Sequence, residues 1–60
     1  MDMLTNVKKR LAGRKQTLEQ IAQGANVTYT WLTKFNAGRI PNPGYENVKA
    51  LDSYFRKVAQ

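Results

Sequence analysis

Thr17–Gly38 reads TLEQIAQGANVTYTWLTKFNAG, and its spacing predicts two short helices joined by a tight turn. Thr17 is a good N-cap, because its hydroxyl accepts from a free backbone N–H of the first turn. Gln20 stands three residues later and completes the S/T-x-x-E/Q capping box. Ile21, Ala22 and Ala25 fall on one helical face. Asn26 then ends the run, since after Gly it is the residue that best tolerates a left-handed backbone. Val27 follows, with Thr28 as a second N-cap. Val27 before that cap and Leu32 four residues after it form a hydrophobic staple. Leu32 and Phe35 carry the buried face onward, and Gly38 is placed to stop the helix. Small Ala22 suits a steep crossing, because helices joined by three or four residues approach closely.

The spacing of Ala22, Asn26, Val27, Leu32 and Phe35 resembles the helix-turn-helix of the phage repressor and Cro-like (lambda repressor-like) family. That family has Ala, Gly four residues on, an aliphatic next, an aliphatic five further and a bulky apolar residue three after that. The tail FNAGRIPNP resembles the family's W-E-x-G-K-x-x-P ending in Phe35, Gly38, Arg39 and Pro43. The likeness covers roughly residues 17 to 55. Asn26 replaces the family's turn Gly. Leu18 stands where the family often has a Gln that touches a phosphate, and Trp31 is large for its slot. The resemblance implies an all-α domain of four helices, with the helix-turn-helix at helices two and three.

The resemblance also assigns roles. The family's base-contacting slots fall on Tyr29, Thr30 and Lys34, with Thr28 and Thr33 flanking them. Helix periodicity independently sets Tyr29, Thr30, Thr33 and Lys34 opposite the buried Leu32 and Phe35. Thr hydroxyls and methyls suit base edges and the thymine methyl, and Lys34 suits guanine acceptors or a phosphate. Arg14, Lys15 and Thr17 lie at the start of helix two, whose free N–H groups favour an anion. In the family this end sits over the DNA backbone. Arg39 and Asn42 follow the recognition helix, in the segment that touches phosphates in the family. Asn42 has a second expected role, as N-cap of the last helix with Pro43 at its first position.

Charge and composition agree with a polyanionic partner. Ten basic residues face four acidic ones in 60, a net charge of +6, which favours nucleic acid or an anionic membrane surface. The 42% hydrophobic content argues against disorder. So short a chain forms one domain, residues 1–60, of marginal stability. It contains neither Cys nor His. Disulfides and thiolate or imidazole metal ligands are therefore excluded, and no metal or other cofactor is expected. Nor does spacing force any two of Asp2, Glu19, Glu46 and Asp52 together as an acid/base pair. An enzyme is not expected. There is no apolar run of membrane-spanning length, and Lys8, Lys9 and Arg10 interrupt any signal peptide. A cytoplasmic location, in a bacterial cell or phage-infected host, is the expectation.

Elsewhere, Asp2 caps or opens a first helix of about residues 2–12, whose stripe is Leu4, Val7 and Leu11 and which Gly13 stops. Lys8 to Arg10 read as a solvated face matched to its dipole. Helices two and three are expected at about 18–25 and 29–37. A last helix from about 43 or 44 to 58 carries a seam of Tyr45, Val48, Leu51, Phe55 and Val58, expected to pack on helices one and three. Trp31 is expected at the edge of the core. Related domains often have a further helix. Tyr54, Phe55 and Val58 are therefore expected to leave an apolar edge that a second copy covers. The resulting expectation is sequence-specific binding of double-stranded DNA by a prokaryotic or phage repressor, with no small-molecule ligand. A protein-interaction module and a non-specific architectural DNA binder are the alternatives.

Overall fold

The computed structural model describes residues 2–58; of the expected domain 1–60, Met1, Ala59 and Gln60 lie outside the described residues. Four helices follow in order: α1 (Met3–Ala12), α2 (Leu18–Ala25), α3 (Tyr29–Asn36) and α4 (Tyr45–Val58). No strand occurs among the described residues.

Capping chemistry sets the first three starts. Asp2 Oδ1 accepts from the Thr5 N–H at 2.7 Å and caps α1. At α2, Thr17 Oγ1 accepts from the Gln20 N–H and Gln20 Oε1 accepts from the Thr17 N–H, both at 3.1 Å. This is the reciprocal capping box. Thr28 Oγ1 accepts from the Trp31 N–H at 3.1 Å and caps α3.

The stops use two left-handed residues. Asn26, at φ 60° and ψ 40°, ends α2. The Val27 N–H then reaches back to the Ala22 carbonyl at 3.0 Å. Gly38, at φ 77°, follows the end of α3, one residue earlier than the expected 37. There the Arg39 N–H donates to the Lys34 carbonyl at 2.9 Å and the Gly38 N–H to the Phe35 carbonyl at 3.1 Å. That pair of bonds is the Schellman arrangement.

The last helix starts later than expected. The Gly44 carbonyl accepts from the Val48 N–H at 3.1 Å, so the ladder opens at Gly44 and α4 begins at Tyr45. Asn42 is therefore not its N-cap and Pro43 is not in its first turn. Gly is itself an acceptable cap, and this start sets Glu46 in the first turn, where its charge complements the dipole.

The core gathers Val7 and Leu11 from α1, Ile21, Ala22 and Ala25 from α2, Leu32 and Phe35 from α3, and Val48, Leu51 and Phe55 from α4. Leu4, Leu18, Val27, Trp31 and Ile40 pack around it, partly buried. The radius of gyration is 10.2 Å, matching the roughly 10 Å of a compact chain of this length. α4 packs chiefly on α1 and α2, and α3 chiefly on α2, so α4 lies on helix one as expected and on helix two where helix three was expected.

The α2–α4 contact explains a glycine in mid-helix. A Cβ at Gly24 would stand 2.6 Å from Cδ1 of Tyr54 and closer still to Cε1. The missing side chain is what lets the Tyr54 ring lie on α2. Tyr54 is thus half-buried and meets Phe55 edge-on at 5.5 Å between ring centroids. Tyr45, expected in the seam, is instead 67% exposed and borders an open groove beside Met3, Leu4 and Pro43. Asp52 is the buried charged residue, 7% exposed, and its Oδ2 pairs with Arg56 Nε at 3.1 Å.

Candidate nucleic-acid interface

α3 offers two unlike faces. Leu32 and Phe35 are buried, and Trp31, half-buried, stacks on Phe35 at 4.9 Å with the rings 9° from parallel. This stack extends the core and fixes the rotation of α3 about its axis. The opposite side then presents Tyr29, 53% exposed, with Thr30 and Lys34, both exposed. All three are exposed, as helical periodicity predicts.

Thr28 and Thr33 sit differently. Thr28 is exposed, but its hydroxyl is engaged in the cap. Thr33 is half-buried, and its hydroxyl donates to the Thr30 carbonyl at 2.9 Å. Its proton is spent within the helix, so its methyl is the group left for an outside partner.

The expected phosphate residues divide by region. Arg14 and Lys15 are exposed in the loop before α2, and Thr17 is exposed at its cap. Arg14 Nη1 donates to the Leu11 carbonyl at 2.9 Å. One nitrogen thus closes the C-terminal end of α1 while the rest of the guanidinium fork is free for an anion. Leu18, in the first turn of α2, packs against the core. Arg39 and Asn42 are exposed in the loop after α3, and Asn42 stands two residues before the Gly44 start of the α4 ladder rather than at its cap.

Two basic side chains that the sequence groups with a solvated face have specific surroundings. Arg10 is half-buried and its Nη1 donates to the Phe55 carbonyl at 3.3 Å. It lines a groove of about 410 Å³ with Arg14, Lys15, Phe55 and Val58. Lys8 holds its ammonium 6.0 Å from the centre of the Phe35 ring, within reach of a cation–π attraction. Both flank the Leu4–Val7–Leu11 stripe, Lys8 one turn after Leu4 and Arg10 three residues after Val7. That spacing is the available signal, since long cationic side chains at the margins of an apolar stripe lay their stems on neighbouring elements.

Of the α4 residues expected at an edge between copies, Phe55 is 4% exposed and belongs to this chain's own core. Tyr54 is half-buried on α2, and Val58, at 43%, is the exposed one. No helix among the described residues is long and apolar enough to cross a membrane. No family model matches this chain, and no match to it was found among curated proteins or solved structures.

Proposed function

We propose that this chain binds double-stranded DNA sequence-specifically, as a helix-turn-helix transcription repressor of a prokaryote or phage, with α3 reading the major groove. The observation that carries the reading is the α2–turn–α3 unit. Asn26 turns the chain in a left-handed conformation, and the Trp31–Phe35 stack orients α3 so that Tyr29, Thr30 and Lys34 face outward. Charge supports it, because a net +6 on 60 residues attracts a phosphate backbone in any sequence. Base edges would then be read by Tyr29, Thr30, Lys34 and the Thr33 methyl, and register would be held by Arg14, Lys15, Thr17 and Arg39. Occlusion of a promoter needs no chemistry, in keeping with a binding module rather than an enzyme and with a site in the cytoplasm.

The test is selection of binding sites from a random duplex pool at near-physiological salt. An enriched sequence supports the reading, and a two-fold symmetric one with half-sites about one helical turn apart adds a dimer on DNA. Binding without enrichment points to an architectural DNA binder. An absence of binding removes the DNA reading and leaves the protein-interaction module.

A further inference from the structure

We infer that the groove between the α1–α2 corner and the end of α4 binds an acidic peptide segment of a partner protein, one that sets a carboxylate beside an apolar side chain. The groove measures about 410 Å³, and Arg10, Arg14, Lys15, Phe55 and Val58 line it. None of the chain's four carboxylates lies in this lining. Three cations thus converge on one concave surface without a counter-ion of the chain's own.

Both arginines are tethered there. Arg10 Nη1 donates to the Phe55 carbonyl at 3.3 Å, and Arg14 Nη1 to the Leu11 carbonyl at 2.9 Å. Leu11 and Phe55 lie in the last turns of α1 and α4, where carbonyls lack helical partners. Each guanidinium closes a helix end with one nitrogen and keeps donors for an outside carboxylate, whose two oxygens match the fork. Side chains already held in place lose little further freedom on binding, which favours the complex.

Val58 decides the class of partner. It is 43% exposed and, with the edge of Phe55, gives the groove an apolar wall. A phosphodiester strand gains nothing from such a wall. A peptide can lay an aliphatic side chain on it while its carboxylates meet the arginines. The groove is open to solvent, which suits a chain segment lying across it better than a small molecule, whose pockets bury most of the ligand surface. Arg14 and Lys15 are also the residues that hold register in the DNA-binding reading. Competition between the segment and DNA rests on that reading; the peptide site does not.

The experiment is fluorescence anisotropy with a short fluorescein-labelled peptide in which pairs of Glu flank a Leu. It is compared with the same peptide carrying Gln for Glu and with one carrying Ser for Leu, at ionic strength about 0.15 M. The expected result is binding of the Glu–Leu peptide, with weaker binding of both others. Arg10→Gln and Lys15→Gln are each expected to weaken it about tenfold. Lys49→Gln, which removes the same charge from a separate surface beside Tyr45 and Ser53, is expected to weaken it much less. Val58→Ser is expected to bring the Leu peptide down to the affinity of the Ser peptide. Lys15 and Val58 are exposed, so these two variants carry the test even where Arg10→Gln disturbs the fold. No binding of the Glu–Leu peptide, equal affinity for the Leu and Ser peptides, or equal losses for Lys15→Gln and Lys49→Gln overturns the site, whatever the duplex selection shows. Arg10→Gln weakening duplex binding as much as peptide binding assigns the groove to the DNA backbone and overturns it too. Where the chain binds a duplex, the Glu–Leu peptide is expected to displace it; a complex holding both would overturn the shared use of Arg14 and Lys15.

Discussion

At Asn26, the backbone at φ 60° and ψ 40° is reached routinely only by Gly, and by Asn with a small penalty. Asn26→Ala is expected to lower stability by about 1 kcal/mol, and Asn26→Gly to alter it by a few tenths at most, because relief in the fold offsets the freer unfolded chain. Urea denaturation of the two variants measures both; equal losses would show that the left-handed turn is not what the side chain is chosen for. Gly24 supplies a sharper case. Ala is the better helix former by about 1 kcal/mol, yet its Cβ would overlap the Tyr54 ring. Gly24→Ala is expected to destabilise by about 1–3 kcal/mol in the natural background. In a Tyr54→Ala background the same change is expected to stabilise. A double-mutant cycle reads the reversal directly, and a stabilising Gly24→Ala in both backgrounds would mean that Tyr54 does not rest on α2.

At the scale of the helices, the caps and the outer face of α3 each carry an expectation. The Asp2 carboxyl is held below its ordinary pKa, first by the Thr5 backbone N–H that donates to it and then by the Thr5 side chain. A carboxylate with a depressed folded-state pKa contributes stability above its unfolded pKa and loses it as pH falls. The α1 cap is therefore expected to weaken below about pH 4. Asp2→Asn cannot titrate, so the wild-type advantage in melting temperature at neutral pH should disappear by about pH 2; an advantage constant with pH would dissociate the cap from the carboxylate. On α3, Thr30→Ala and Lys34→Ala are each expected to weaken binding to the enriched duplex by about 1–3 kcal/mol while relaxing preference at one base. Thr33→Val, which keeps a methyl and loses a hydroxyl already bonded to Thr30 O, is expected to bind within a few tenths of a kcal/mol of wild type. Fluorescence anisotropy against single-base duplex variants measures all three, and a uniform loss across sequences would assign them to the backbone instead.

For the whole molecule, the question is how much apolar surface a second copy could cover. Phe55 lies in the chain's own core and Tyr54 on α2, so Val58 alone of the expected edge is exposed. The melting temperature of the free protein is expected to be independent of concentration over a roughly hundredfold range. A melting temperature rising with concentration would show a dimer that forms without DNA through a surface other than Phe55.

The sequence by itself determined the four helices, both threonine caps of the α2–α3 unit, the left-handed Asn26 and the inward face of α3. These depend on neighbours three or four residues apart, and capping, turn chemistry and helical period act at that range. Tertiary structure decided what local spacing does not encode. Which helices α4 covers, why Gly24 is glycine, and where the Lys8 and Arg10 side chains rest all depend on residues distant in the chain meeting in space. Asn42 and Tyr45 show the same boundary: each has a fitting local pattern, but α4 opens at Gly44 and Tyr45 is left largely exposed beside a groove. For the candidate interface, the outward group Tyr29, Thr30 and Lys34 was legible from periodicity. The Thr33 hydroxyl bonded within α3 and the Lys8 side chain brought over Phe35 were not, because side-chain direction is set by packing and hydrogen bonding in the folded chain.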